Sequence, residues 1–295
     1  MTGLGRGART LLIGLPLGWL ALFFLLPLLF VAAISFAPSL IFATPPYGPL
    51  LSRAGGSYQL QATVQNYAGM AQDGCLCAYG GSFVNAASAT ALCLVIGYPI
   101  AWAIARSSGV ARNILLFLII LPFWTSFLIR VYAWIAILQP TGLLNRLLLA
   151  LGVIHAPLQL LYNGFSVELG LVYSYLPFMI LPIYGSLSQL DPTLLEASAD
   201  LGARPCRSFL GVTLPLSLPG VAAGVLLVFI PAFGEFVVPD LLGGPDTAMV
   251  GKVLWEEFFD NRNWPTAAAI AVVLIAVLTV PVLLFQHLAE REPRP

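Results

Sequence analysis

The chain has 295 residues, 59% of them hydrophobic and only 9% charged, with a formal net charge of zero. A soluble domain carries roughly 25% charged residues, so a wholly water-covered surface is excluded and lipid must be the solvent for much of the chain. The neutral balance gives no case for nucleic acid.

Six apolar stretches are long enough to cross a bilayer as helices, and too long for barrel strands. The expected fold class is an all-α polytopic membrane protein with six transmembrane helices. A short N-terminal segment, 1–10, holds Arg6 and Arg9. The first apolar run, 11–37, exceeds the ~7–15 residues of a signal-peptide core and reads as a retained first span. The loop 38–81 follows, rich in Gly, Pro, Gln and Tyr, and is expected to form a cap or short helices. Further spans are expected at 82–105, 114–138, 166–187, 217–242 and 267–288, the third interrupted by Arg130 and the fifth by Glu235 and Asp240.

Basic residues set the sidedness. With the N-terminus inside, the inner segments hold Arg6, Arg9, Arg106, Arg112, Arg204, Arg207, Arg291 and Arg294, against Arg53, Arg146, Lys252 and Arg262 outside. This bias places both termini in the cytoplasm and makes 11–295 one transmembrane domain with an inner loop at 188–216. Cys75, Cys77, Cys93 and Cys206 fit no zinc or redox spacing, His155 and His287 have no ligand partners in sequence, and no metal site is expected. Cys75 and Cys77 are close enough for a strained disulfide.

The inner loop is the most informative segment. Asp191 is placed as an N-cap, Pro192 at the first helical position and Gly202 as the stop after the last turn. Glu196 and Asp200 lie one turn apart, and Ala197, Ser198 and Ala199 allow close approach to a partner surface. A second helical stretch is expected from Cys206 to Leu214-Pro215. Glu196-Ala197-Ser198, three residues, Gly202, nine residues, Val212, one residue, then Leu214-Pro215 resembles the signature of binding-protein-dependent ABC importer permeases, with Ser198 for Ala and Val212 for Ile as the departures.

The segments LPFWTSFLIRVYAWIAILQPTGLLN, VELGLVYSYLPFMILPIYGSL, FGEFVVPDLLGG and RNWPTAAA resemble the spermidine/putrescine permease family, more closely the first of its two permeases. The resemblance implies a multi-pass subunit of the bacterial inner membrane. Its partners would be a second permease, two copies of a cytoplasmic ATPase and an external solute-binding protein. It also implies that Glu196, Ala197, Ser198, Asp200, Gly202, Leu214 and Pro215 belong to a helix that seats in the ATPase. The chain has no phosphate-binding loop and no catalytic triad. It is therefore expected to be non-catalytic and to bind no cofactor, with ATP used by the partner.

Charges within spans imply function by default. Arg130 lies ~24 Å and Glu235 ~27 Å from the inner ends of their expected spans at 1.5 Å per residue. Two readings follow. One is a structural ion pair between Arg130 and Glu235. The other is a cation pathway lined by Glu235 and Asp240 with the aromatic faces of Trp124, Tyr132, Trp134, Tyr173 and Tyr175, aromatics that would otherwise form an interfacial belt. Glu235 and Asp240 share a face only if Pro239 breaks the helix. Glu256 and Asp260 fall on one outer helix face, as a contact for the binding protein or as a solvated surface. Other cargoes of related permeases, such as iron, sulfate or thiosulfate, stay open, as does a stand-alone secondary transporter.

Overall fold

The computed structural model describes residues 6–54, 57–72 and 74–290. Residues 1–5 of the N-terminal segment, and Arg291 and Arg294, on which part of the sidedness argument rests, lie outside it.

Backbone packing divides the chain into two units, 1–76 with 254–277 and 77–253 with 278–295. The first unit opens with helix α1, residues 6–34, which widens to a π turn at Ala21–Leu25. Its side chains from Leu12 to Leu26 are exposed. A helix apolar on all sides is a membrane span rather than a surface helix. The following loop holds strands as well as a short helix. It forms an antiparallel hairpin of β1 (Leu51–Ala54) and β2 (Ser57–Leu60), then α2 (Gln65–Gln72). Asn66 ties this loop back to the end of α1, donating to the carbonyls of Ser35 (2.8 Å) and Ala37 (2.9 Å). Ser39 Oγ donates to Asn263 Oδ1 at 2.8 Å.

The second unit contains most of the remaining spans. Helix α3 (Cys75–Arg106) is followed by α4 (Gly109–Ile120), α5 (Phe127–Leu138), α6 (Leu143–Ala150) and α7 (Gly164–Ser188). Then come the short α8 (Pro192–Asp200), the long α9 (Pro205–Phe233), α10 (Val237–Leu241) and α11 (Val250–Trp255), which runs into the first unit, as does α12 (Trp264–Glu290). Leu171, Met179, Ile180 and Ile183 of α7 and Val228 and Phe233 of α9 are buried. Small residues let these two helices approach closely, as in membrane bundles. A Cβ built on Gly224 would stand 2.8 Å from Met179 Sδ, and one on Gly220 would meet Pro182 O at 2.6 Å. Tyr98 and Ser217 hydroxyls, 2.8 Å apart, join α3 to α9.

Among the described residues, six helices are long and apolar enough to span a membrane, at Leu12–Ile34, Cys75–Arg106, Phe127–Ala150, Gly164–Ser188, Pro205–Phe233 and Trp264–Leu283. Three differ from expectation, the second span beginning at Cys75, inside the stretch expected as the loop 38–81. The apolar run 114–138 is not one helix. The chain tightens at Leu121–Trp124 and turns extended at Thr125 and Ser126 before α5 begins. Pro122 supplies no amide to the preceding turn, and Thr125 Oγ1 caps its carbonyl at 2.8 Å. The fifth span starts at Pro205 and ends at Phe233, so the stretch expected as a separate loop helix from Cys206 to Pro215 is its first part. The strained disulfide that the sequence left open between Cys75 and Cys77 is not formed, because two positions on one helical turn point about 200° apart.

Candidate functional site

Helix α8 is stopped at both ends by local chemistry. Asp191 Oδ1 accepts from Thr193 N at 3.0 Å, and this backbone hydrogen bond holds the exposed Asp191 carboxyl below the usual aspartate range. At the other end Gly202 N donates to Ala199 O (2.8 Å) and Ala203 N to Ser198 O (3.1 Å), with Gly202 at φ +78°. That is the paired bonding of a Schellman stop, which needs a left-handed residue. Glu196, Ala197 and Asp200 are exposed, and so is Leu201 at 88%.

The Ser198 hydroxyl lies 2.6 Å from that of Ser208 at the start of α9. Ser198 therefore fastens the helix to a span, a role its replacement of alanine in the signature did not reveal. Leu214 and Pro215 lie inside α9 rather than in a loop. Behind α8 is a cavity of about 410 Å³ between it and the ends of α3, α7 and α9, lined by Trp102, Arg106, Leu187, Leu195, Glu196 and Thr213. The Arg106 guanidinium covers the Trp102 ring at 4.4 Å.

A second set of residues lies at the far end of α9. The helix stops at Gly234, and the break falls at 234–236, ahead of Pro239, which sits inside α10. Glu235 occupies this break. Its Oε1 accepts from Val237 N (2.9 Å) and Phe236 N (3.2 Å), and its Oε2 accepts from the buried Tyr175 hydroxyl. The backbone of Gly251 in α11 lies against the carbonyls of Gly234 and Glu235, where a Cβ would not fit.

The ion pair expected between Arg130 and Glu235 is not formed. The depth count behind it assumed continuous helices, and both are broken. Arg130 instead places its guanidinium 5.5 Å from the rings of Phe123 and Phe127, with its buried Nε unpartnered. Asp240 is exposed and pairs with Lys252 at 3.4 Å. Of the expected pathway aromatics, the structure brings Tyr175 to Glu235. Trp134 packs edge-on to Tyr173 with ring centres 5.4 Å apart, Tyr132 is exposed, and Trp124, 73% exposed, meets Phe117. Sequence reasoning passed over Glu168 in α7, whose Oε2 accepts from Ser88 Oγ of α3 at 2.9 Å. The signal that could have found it was a carboxylate two positions inside an expected span. Among the described residues, no group of three or more His, Cys, Asp or Glu is arranged to hold a metal ion.

The chain has recognisable relatives among known proteins. The model of the family described as binding-protein-dependent transport system inner membrane component matches residues 94–294. The spermidine/putrescine transport system permease protein PotB of Haemophilus influenzae is 41% identical over 236 residues, 80% of this chain and 82% of that one. PotB of Escherichia coli is 45% identical over 197 residues, covering 67% of this chain and 72% of that one. Among solved structures, a chain of a bacterial ABC transporter involved in the import of the acidic polysaccharide alginate superposes with a TM-score of 0.67 at 16% identity, covering 97% of each chain. A chain of the MetNI methionine ABC transporter superposes at 0.56 and 15% identity, covering 74% of this chain and 96% of that one.

Proposed function

Because this multi-pass membrane chain belongs to the binding-protein-dependent transport system inner membrane component family, we propose that it is the permease subunit of an ATP-driven importer of polyamines. The observation that carries the cargo is the 41% identity over 236 residues with a spermidine/putrescine permease. In this reading the chain sits in a bacterial inner membrane with both termini in the cytoplasm. It pairs with a second permease, and two copies of an ATPase and an external solute-binding protein complete the machine. ATP is bound and hydrolysed on the ATPase alone.

Helix α8 is the part the ATPase moves. Its exposed Leu201, Ala197 and Glu196 form the docking surface, and the Asp191 and Gly202 caps keep it from unwinding under load. Closure of the ATPase dimer displaces α8. The displacement passes through the Ser198–Ser208 contact into α9, and the spans open outward to take cargo from the binding protein. Glu235 then offers a carboxylate, backed by Tyr175, to an incoming ammonium group. Ion pairing inside a low-dielectric wall favours such a cation far more than in water.

The test is reconstitution of the complete importer in proteoliposomes, with ATP-dependent uptake measured for spermidine, putrescine, ferric iron and sulfate. Uptake of either polyamine supports the assignment. Uptake of iron or sulfate with no polyamine uptake overturns the cargo while keeping the permease. Transport without any ATPase would overturn the permease itself.

A further inference from the structure

We propose that Glu168 is a second cation subsite, taking one ammonium group of a long polyamine while the Tyr175–Glu235 pair takes another; this rests on the polyamine reading above. Glu168 lies in the second turn of α7. A carboxyl inside a span is costly and is kept where it meets a partner or a pathway. Its two oxygens are unequal. Oε2 accepts from Ser88 Oγ, but that hydroxyl also lies 2.9 Å from Val84 O and 3.1 Å from Asn85 O, and it has one proton for three acceptors. Oε1 is buried with no hydrogen-bond partner. A buried acceptor left without a donor costs free energy until one arrives.

Among the described residues the chain supplies no cation to it. Lys252 pairs with Asp240, Arg130 lies on Phe123 and Phe127, and Arg112 donates to the carbonyls of Ser107 and Ala105. A primary ammonium brings three donors and the complementary charge.

Spacing selects the ligand. Tyr175 is seven residues after Glu168, which returns to the same helix face about 10.5 Å farther along the axis. Tyr175 carries the Glu235 carboxylate. Glu168 and the tyrosine that holds the Glu235 carboxylate therefore lie on one stripe of α7. An all-trans amine chain advances about 1.25 Å per bond, so the ends of spermidine reach about 11 Å apart and those of putrescine about 6 Å. The triamine spans both groups and the diamine occupies one.

The experiment compares wild type and Glu168→Gln in the complete importer in proteoliposomes, measuring uptake of spermidine and putrescine and the basal ATPase rate. The glutamine keeps the shape and the Ser88 contact but loses the charge. Uptake efficiency for spermidine is expected to fall at least tenfold, that for putrescine less than threefold, with basal ATPase unchanged. Equal losses for the two amines, or no loss, would overturn the subsite. If wild type imports neither amine, the cargo reading fails instead. Should Glu168→Gln fail to assemble, carbodiimide labelling of Glu168 in the wild-type importer, read by mass spectrometry, gives the answer. Protection by spermidine is expected, and labelling that spermidine leaves unchanged refutes the proposal.

Discussion

Gly202 offers the sharpest test of the coupling helix. Its φ of +78° is a left-handed conformation, and a Cβ added there would meet no atom within 4 Å. A substitution is therefore opposed by backbone strain alone and not by a clash. For an ordinary L-residue that strain is about 1–2 kcal/mol, and a β-branched side chain lies at or above the upper end. If the chain escapes the strain by leaving the left-handed region, the Gly202–Ala199 and Ala203–Ser198 bonds open together. At about 1.4 kcal/mol per factor of ten, the closed helix end becomes about thirty-fold or more less favoured relative to the open one in Gly202→Val. Because the site is surface-exposed, membrane insertion and assembly should be untouched. The assay is the ratio of ATP hydrolysed to polyamine imported in proteoliposomes. We expect Gly202→Val to raise this ratio at least fivefold. Gly202→Asn should stay within twofold of wild type, since asparagine tolerates the conformation. A wild-type ratio in Gly202→Val would refute the view that a stiff end on α8 transmits force.

Three further outcomes follow from the same structure. Gly224→Leu places a side chain where even a Cβ meets Met179 Sδ at 2.8 Å; overpacking of about 1–3 kcal/mol or more should lower the thermal midpoint of the purified importer in detergent, and an unchanged midpoint would contradict the close α7–α9 contact. Asp191 has a depressed carboxyl because its charged form accepts the Thr193 amide; the cap is complete above the ordinary aspartate range and is lost as pH falls through the lowered value. Hydrogen exchange at the start of α8, corrected for intrinsic rate, should therefore speed up on acidification in wild type and be fast at every pH in Asp191→Ala. Tyr175→Phe leaves Glu235 Oε2 without its donor, a loss of about 1.5–3 kcal/mol for a bond to a charged group; the thermal midpoint should fall and should recover in part when Glu235→Gln is added.

What the sequence makes legible here is what local chemistry decides. Asp191, Pro192 and Gly202 bound α8 because caps act over three or four residues, and the spacing from Glu196 to Pro215 is itself local. Apolar length also reads correctly, since six helices of spanning length are present among the described residues. Continuity does not read as well. Nothing in the hydropathy of 114–138 tells a straight helix from one bent through Leu121–Ser126, and the end of α9 at Gly234 depends on α11 packing its glycine backbone against the break. Pairing across the bundle is least legible. Opposite charge at similar depth suggested Arg130 for Glu235, yet side chains meet by direction as well as depth, and the hydroxyl of Tyr175, 60 residues away in sequence, reaches the carboxylate instead. Glu168 escaped notice because two positions inside an expected span is also where an interfacial carboxylate would stand.

Helix α9 links the neighbourhood of α8 to the Glu235 break. Helix α9 runs for 29 residues, about 43 Å at 1.5 Å per residue. Ser208 near its start holds Ser198 of α8, and its far end delivers Glu235 to Tyr175. Between them Gly220 and Gly224 press it against α7. A tilt imposed at α8 must then either reach the Glu235 break or be absorbed by the π turn at Phe209–Thr213. A double-mutant cycle decides which. Ser198→Ala removes the hydroxyl contact, Tyr175→Phe removes the carboxylate's donor, and independent sites this far apart add within about 0.3–0.5 kcal/mol. If α9 acts as a rod, the two substitutions should depart from additivity in spermidine uptake efficiency by more than that margin, because each weakens the same transmitted motion. Additive losses would mean that the π turn takes up the movement, and that opening at the Glu235 end is driven by some other route through the bundle.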